Sequence, residues 1–275
     1  MGEHGPLRSE IEGGVAVITI DHPPTNLVDG PFIVGLLGLL GELEADDAVK
    51  VLVFRSADPD FFLMHGDVDL LVAVPAGEHE AVTVPNVAAA TFERLASGRL
   101  VSIGILDGAA RGGGCEFLSA LDFRFGSPRA VIGQPEVPMG ILPGAGGTAR
   151  WPRLVGRSNA LEILLTGRDV ESGEALRLGW LHALAPADRL EREAMVLARR
   201  IAAMPVASIA AVKQVVGASL GGMGPALVVE SDALGRLMAS GAHHRPMRRF
   251  LDAGGQTRDG ERTRMAAIVD AMLGD

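Results

Sequence analysis

The stretch LVSIGILDGAARGGGCEFLSALDFRFGSPRAVIGQPE, from Leu100 to Glu136, changes character several times within a short span. A β-branched, apolar run (Leu100–Leu106) reads as a buried strand. DGAARGGG then breaks it, and CEFLSALD has room for only two turns of helix. FRFGS and AVIGQPE read as short strands again. Working outward, GVAVITI (Gly14–Ile20) and VKVLVFR (Val49–Arg55) are two more apolar strands, the second of the kind that helices cover on both faces. Between them Asp29 caps a helix with proline in its first turn and Ile33, Leu36, Leu40 and Leu43 on one face. SADPDFFLMHGDVDLL reads as irregular, followed by a helix from about Glu78 to Ala96 that Pro85 kinks or starts. From Asn159 onward the chain is mostly amphipathic helix, with one strand-like run at LHALAP. Strands alternating with helices over the first two thirds imply an α/β architecture. A division near Ala202 to Pro205 gives a core of 1–202 and a helical region of 203–275.

Composition excludes several functions. The chain has 275 residues, 48% of them hydrophobic, enough for a large core. A net charge of −9 opposes binding to nucleic acid through phosphates. One cysteine rules out an internal disulfide and fits a reducing compartment. MGEHGPLRSEIEGG has no apolar core of a signal peptide, and no apolar run is long enough to span a bilayer. The expectation is a cytoplasmic protein with no membrane segment. The histidines show no metal-ligand spacing except at His243-His244, which lies in a charged stretch, so no metal is expected.

The glycines raise the question of chemistry. Three in a row let a ligand approach the backbone closely, and a helix starting at about Cys115 leaves its first amides unpaired. Glu116 lies in that first turn. Taken alone, the run is a tight turn with an acidic residue complementing the helix dipole. The second stretch, IGQPEVPMGILPGAGGT (Ile132–Thr148), repeats the same arrangement: a short strand, Glu136 at its end, then a glycine-rich loop. Two carboxylates delivered to glycine-lined turns suit general acid–base chemistry. GAGGTA also looks like a phosphate-cradling loop, but it lacks dinucleotide spacing and follows no long strand.

GGGCE, GQPE and PGAGGT at these spacings resemble the enoyl-CoA hydratase/isomerase (crotonase) family, closely from about Leu100 to Pro186 and more loosely from Gly14 to Leu71. The resemblance implies a crotonase-like spiral of strand-strand-helix repeats with a C-terminal helical oligomerisation region, assembled as a homotrimer or a dimer of trimers. It implies an acyl-CoA thioester substrate, with coenzyme A arriving as part of the substrate and no separate cofactor. An oxyanion hole would take one amide from Gly66, in FLMHGDVD, and one from Gly113. Glu116 would activate water, Glu136 would deliver a proton to the α-carbon, and the Gly144 amide would help hold the water. Asn26, Leu27, Gly66, Asp67, Val68, Asp69, Gly113 and Gly144 form the implied substrate and coenzyme A surface.

Both glutamates favour hydration of 2-enoyl-CoA over the other reactions of the family: isomerisation, decarboxylation and C–C hydrolysis. A non-catalytic acyl-CoA- or RNA-binding member is the remaining alternative. The chain departs from the family pattern at DHPPTNLVD, at Asp69 where lysine is common, and at Arg111 and His65. His65 either packs or faces solvent, or it shapes the acyl pocket; with both proton transfers already assigned, pocket shape is the functional reading. Cys115, Trp151 and Trp180 read as core. HHRPMRRF reads as a solvated face, or as charge that reaches the coenzyme A of a neighbouring subunit.

Overall fold

The computed structural model describes residues 2–273. Seven strands form the larger sheet, in the spatial order β1 (Gly2–His4), β2 (Leu7–Glu12), β3 (Val15–Ile20), β4 (Val51–Ser56), β6 (Val101–Leu106), β8 (Phe123–Gly126) and β11 (Ala183–Leu184). From β3 onward the pairing is parallel, whereas β1 and β2 add antiparallel to the edge. A smaller sheet runs β10 (Asp169–Glu171), β9 (Val131–Gly133), β7 (Ala109–Arg111) and β5 (Phe61–Leu63), with β9, β7 and β5 mutually parallel.

The helices are α1 (Gly30–Ala45), α2 (Val68–Val72), α3 (Val87–Ser97), α4 (Gly113–Ala120), α5 (Gly147–Val155), α6 (Arg157–Thr166) and α7 (Ser172–Arg177). They continue with α8 (Ala187–Ala202), α9 (Val206–Ser219), α10 (Gly224–Ser240), α11 (His244–Asp252), α12 (Arg258–Thr263) and α13 (Met265–Leu273). Three successive turns of the chain, β4–β5, β6–β7 and β8–β9, therefore each contribute one strand to the larger sheet and a short strand to the smaller one, then helix. This is the expected strand-strand-helix spiral.

The apolar runs of β3, β4 and β6 are buried on both faces. Val15, Val51, Val53, Val101, Ile103 and Ile105 meet Leu190, Ala194, Ala198 and Ala202 of α8. Their four-residue spacing makes one helical stripe, and the alanines let it lie close to the sheet. Ile18, Ile20, Leu52 and Phe54 point the other way, into the main core with Phe32, Leu36 and Leu40 of α1. Phe117 of α4 sits at the centre of that core, with ring centroids of Phe54, Phe92, Phe32 and Phe62 at 5.1–6.3 Å. The helix bearing Glu116 is thus fixed by its next residue. Trp151, Trp180 and Cys115 are fully buried, as expected.

Three sequence expectations are corrected. The helix expected from Glu78 begins at Val87, because Asn86 caps it by accepting the Ala89 amide just after Pro85. The helix expected from Cys115 begins at Gly113. HHRPMRRF is not a plain solvated face, since His243, Met247 and Phe250 are buried. Met247 and Phe250 join Val68, Val72, Met139 and Ile141 in one cluster, so the C-terminal helices pack on α2 and on the loop after Glu136. Among the described residues no single helix is long and apolar enough to cross a membrane; α8 and α9 reach that composition only as a pair bent by 108°.

Candidate active site

Parallel pairing brings three loops to one edge of the small sheet. β5 lies beside β7 with Leu63 opposite Ala110, and β7 beside β9 with Arg111 opposite Gly133. The residues just past these strand ends are Gly66, the glycine run and Glu136. Each glycine in the run has a different task. Gly112 caps α4 at φ 51° and ψ −126°, a backbone conformation open essentially only to glycine. Its amide donates to Gly133 O at 3.0 Å. Gly114 lies so close to the Leu63 carbonyl that a side chain would collide with it, and its amide donates to Met64 O at 2.9 Å. Gly113 alone in the run has an amide with no acceptor among the described residues. The Gly66 amide likewise has none, and Val28 flanks both: it pairs with Gly66 and lies 3.1 Å from where a Gly113 Cβ would stand.

The two expected carboxylates converge on this corner in different environments. Glu116 Oε1 accepts from the Ala145 amide at 2.7 Å and the Gly147 amide at 2.8 Å. Burial pushes its pKa up to about 7, held back by those two amides and by the Arg150 charge. Glu136 lacks such a pair of loop amides, and its own backbone amide opposes the upward shift only in part. Burial, then the charges of Glu116 and Glu230, push it well above the usual carboxylate range. Gln134, oriented so that both ends are satisfied, donates to Glu136 Oε2 at 3.0 Å and accepts from Trp151 Nε1 at 3.3 Å. The amide cradle favours charge on Glu116, while burial and like charge raise Glu136 further despite the Gln134 donor, so the two carboxyls have unequal surroundings.

A third carboxylate was not expected. Glu230 of α10 accepts from the Gly146 amide at 2.6 Å and the Ala149 amide at 2.7 Å. Glu116 and Glu230 thus divide the amides at the start of α5 between them, 145 and 147 to one, 146 and 149 to the other. Burial and the Glu116 charge push Glu230 up to about 8. A signal existed in the sequence: Glu230 stands on the same helical stripe as Leu227 and Leu234, where a carboxylate is out of place.

The remaining expected residues fall around this core. Gly144 keeps a free amide among the described residues, while its carbonyl accepts from Asn86 Nδ2 at 2.6 Å and Leu234 packs against its Cα. Asn26, at φ 57°, spends its side-chain amide on Ser56 Oγ and the Phe61 and Phe62 carbonyls, and its backbone on His22 and Met64. It shapes the loop, in which Leu27 packs against Phe61 and Met64 and Val28 against the main core. Asp67 caps α2, and Gln256 bridges it to Asp69 while accepting from the Val68 amide at 2.7 Å. Asp69 is exposed, and Gly66 is half-buried.

His65 is not solvent-facing. It is 4% exposed and pairs with Glu261 of α12 at 2.9 Å, its ring edge-on to Phe250. Arg111 is equally enclosed, gripping Asp169 through two nitrogens at 2.8 and 2.6 Å and the Glu261 carbonyl at 3.0 Å. Both departures from the family pattern are therefore parts of one buried network. The site expected within residues 1–202 draws Glu230, Gln256 and Glu261 from beyond them.

The fold is that of a family of acyl-CoA-binding enzymes, and similarity to known proteins places the chain within it. The family model for enoyl-CoA hydratase/isomerase matches residues 10–252. A solved structure from Streptomyces avermitilis, assigned as an enoyl-CoA hydratase, superposes with a TM-score of 0.85 at 34% identity, over 99% of this chain and 100% of that one. DspI of Pseudomonas aeruginosa superposes at 0.72 with 30% identity, over 80% and 89%. An enoyl-CoA hydratase/isomerase from Xanthobacter autotrophicus Py2, at 23% identity and a TM-score of 0.82, shares the fold over 98% and 97%. The chain belongs to the enoyl-CoA hydratase/isomerase (crotonase) family.

Proposed function

We propose that this protein hydrates 2-enoyl-CoA thioesters to 3-hydroxyacyl-CoA. The amides of Gly66 and Gly113 take the thioester oxygen and stabilise the negative charge that develops on it. Glu116 removes a proton from water as its oxygen bonds to the β-carbon, and the Gly144 amide helps hold that water. The π electrons pass to the α-carbon and the thioester oxygen, and Glu136 gives its proton to the α-carbon. The observation that carries this reading is the unequal surroundings of the two glutamates. Hydration needs a base and an acid on neighbouring carbons, and here one carboxyl has an amide cradle that favours its charge while the other has burial and like charge that favour its proton.

Leu27 and Val28 on one side and the 66–69 turn on the other would line the coenzyme A path. An oligomer is supported by α9, which has no buried residue and exposes Val212, Val215, Val216 and, just past its end, Leu220. A cytoplasmic location belongs to the same proposal. The test is a panel of 2-enoyl-CoAs of increasing chain length, followed by loss of the conjugated thioester absorbance. Glu136→Gln should lower kcat by about 10²–10⁴ with the fold kept, the usual value of general acid catalysis. A Glu136→Gln variant close to wild-type turnover would remove Glu136 from the acid role.

A further inference from the structure

His65 precedes the Gly66 amide, and both nitrogens of its enclosed ring face oxygen acceptors. Nδ1 is 2.8 Å from the Gly66 carbonyl, and Nε2 is 2.9 Å from Glu261 Oε1. Neither partner can donate: one is a peptide carbonyl, and the other is a carboxylate already accepting the Gln256 amide at 2.8 Å. A neutral imidazole has one N–H and could satisfy only one of these contacts. A ring that makes both is an imidazolium.

The surrounding charges agree. Burial disfavours a charged ring, but the charge and hydrogen bond of Glu261, with the Gly66 carbonyl, more than offset it and raise the His65 pKa above the ordinary 6.5; Arg111 opposes them. Arg111 is itself neutralised by Asp169 at 2.6 Å. Glu136 flanks the other side: a Cβ on Gly112 would stand 2.7 Å from its Oε1 and 2.8 Å from His65 Cβ. Asp67, joined to the same C-terminal turn through Gln256, adds further negative charge, and α11 presents the Phe250 ring.

We propose that Glu261 holds His65 as an imidazolium, and that this fixed charge is a positioning device for the Gly66 donor. The peptide group carrying the Gly66 N–H also carries the His65 carbonyl, which accepts from the Val28 amide at 3.1 Å. The ring grips the next carbonyl along. The donor is therefore pinned from both sides, with a positive charge beside the place where the thioester oxygen becomes negative. Because Glu261 lies on α12 and its amide partner Gln256 just before it, the C-terminal segment completes a hole that the core alone leaves slack. This inference rests on the assignment of Gly66 as an oxyanion donor and concerns a residue pair rather than the reaction class.

Two measurements test it. The first is an NMR titration of the ring nitrogens, with His65→Gln to identify the signals. His65 should be doubly protonated at neutral pH in the wild type, and its midpoint should fall in Glu261→Gln. A neutral ring at pH 7 in the folded wild type overturns the proposal, whatever the protein catalyses. The second is turnover of a 2-enoyl-CoA across pH. Glu261→Gln should lower kcat about tenfold or more while KM changes less, since a misaimed donor fails chiefly in the transition state; loss of a whole donor would cost about 10²–10³. An unchanged kcat in a folded Glu261→Gln that has lost the ring charge overturns the positioning role. Should that variant not fold, the wild-type titration decides alone. If the wild type turns over no enoyl-CoA, the hydratase reading fails separately, and the ring titration still decides this one.

Discussion

Replacing Gly112 by alanine should damage the site through two separable effects. Its backbone, at φ 51° and ψ −126°, is strained for any residue with a Cβ, at about 1–3 kcal/mol. The added methyl would also stand 2.7 Å from Glu136 Oε1, 2.8 Å from His65 Cβ and 3.1 Å from His65 Cα. Carbon contacts settle at about 3.5–4.0 Å, so both neighbours must give way. Overpacking of this kind costs about 1–3 kcal/mol. Together the loss is roughly 2–6 kcal/mol, a large part of the 5–15 kcal/mol of a typical fold. Urea titration should show the midpoint falling at unchanged slope. The molecules that remain folded should turn over substrate slowly, because the displaced groups are the acid and the support of the Gly66 donor. Gly41→Ala is the control: it lies inside α1 with nothing within 4 Å of the added methyl, and should gain up to about 1 kcal/mol. A Gly112→Ala protein as stable and active as wild type would refute the placement of Glu136 and His65 against this glycine.

Glu230→Gln removes one of the charges that keep the proton on Glu136. The alkaline limb of kcat/KM should then move to lower pH, and a limb that stays in place would leave Glu230 with a purely structural part. The C-terminal latch should have a pH window. Glu261 is held below the usual 4.5 because the His65 charge and bond, the Gln256 amide and Arg111 outweigh burial; its stabilisation is present above 4.5 and lost as pH falls through the lowered value. His65 is raised, so its share is present below 6.5 and lost as pH rises through the raised value. Hydrogen exchange at residues 256–261, corrected for intrinsic rate, should therefore show greatest protection between these limits and a flatter profile in Glu261→Gln. Protection that climbs steadily with pH would contradict it.

Much of this was legible in the sequence because it depends on local pattern. The runs that became β3, β4 and β6 are continuous and β-branched, Asp29 caps α1 as expected, and the glycines of GGGCE have tasks only glycine can do. What was missed lacks such a pattern. β5, β7 and β10 are three residues each, too short for any periodicity. The β1–β2 hairpin hides in a polar stretch because it is an edge, with only Leu7 and Ser9 of β2 buried. Glu230 and the pairing of His65 with Glu261 were passed over because their partners lie far away in sequence; His65 and Glu261 are 196 residues apart. Charge on an apparently solvated helix looks the same whether it meets water or a buried amide.

The central claim is that water is added across the double bond, oxygen to the β-carbon and proton to the α-carbon. The most direct measurement is mass and NMR analysis of the product formed from a 2-enoyl-CoA in deuterated water enriched in heavy oxygen. Hydration through Glu116 and Glu136 predicts 3-hydroxyacyl-CoA with solvent oxygen on the β-carbon, one deuterium on the α-carbon and the thioester intact. Deuterium without solvent oxygen at the β-carbon, or a cleaved thioester or carbon chain, would contradict it.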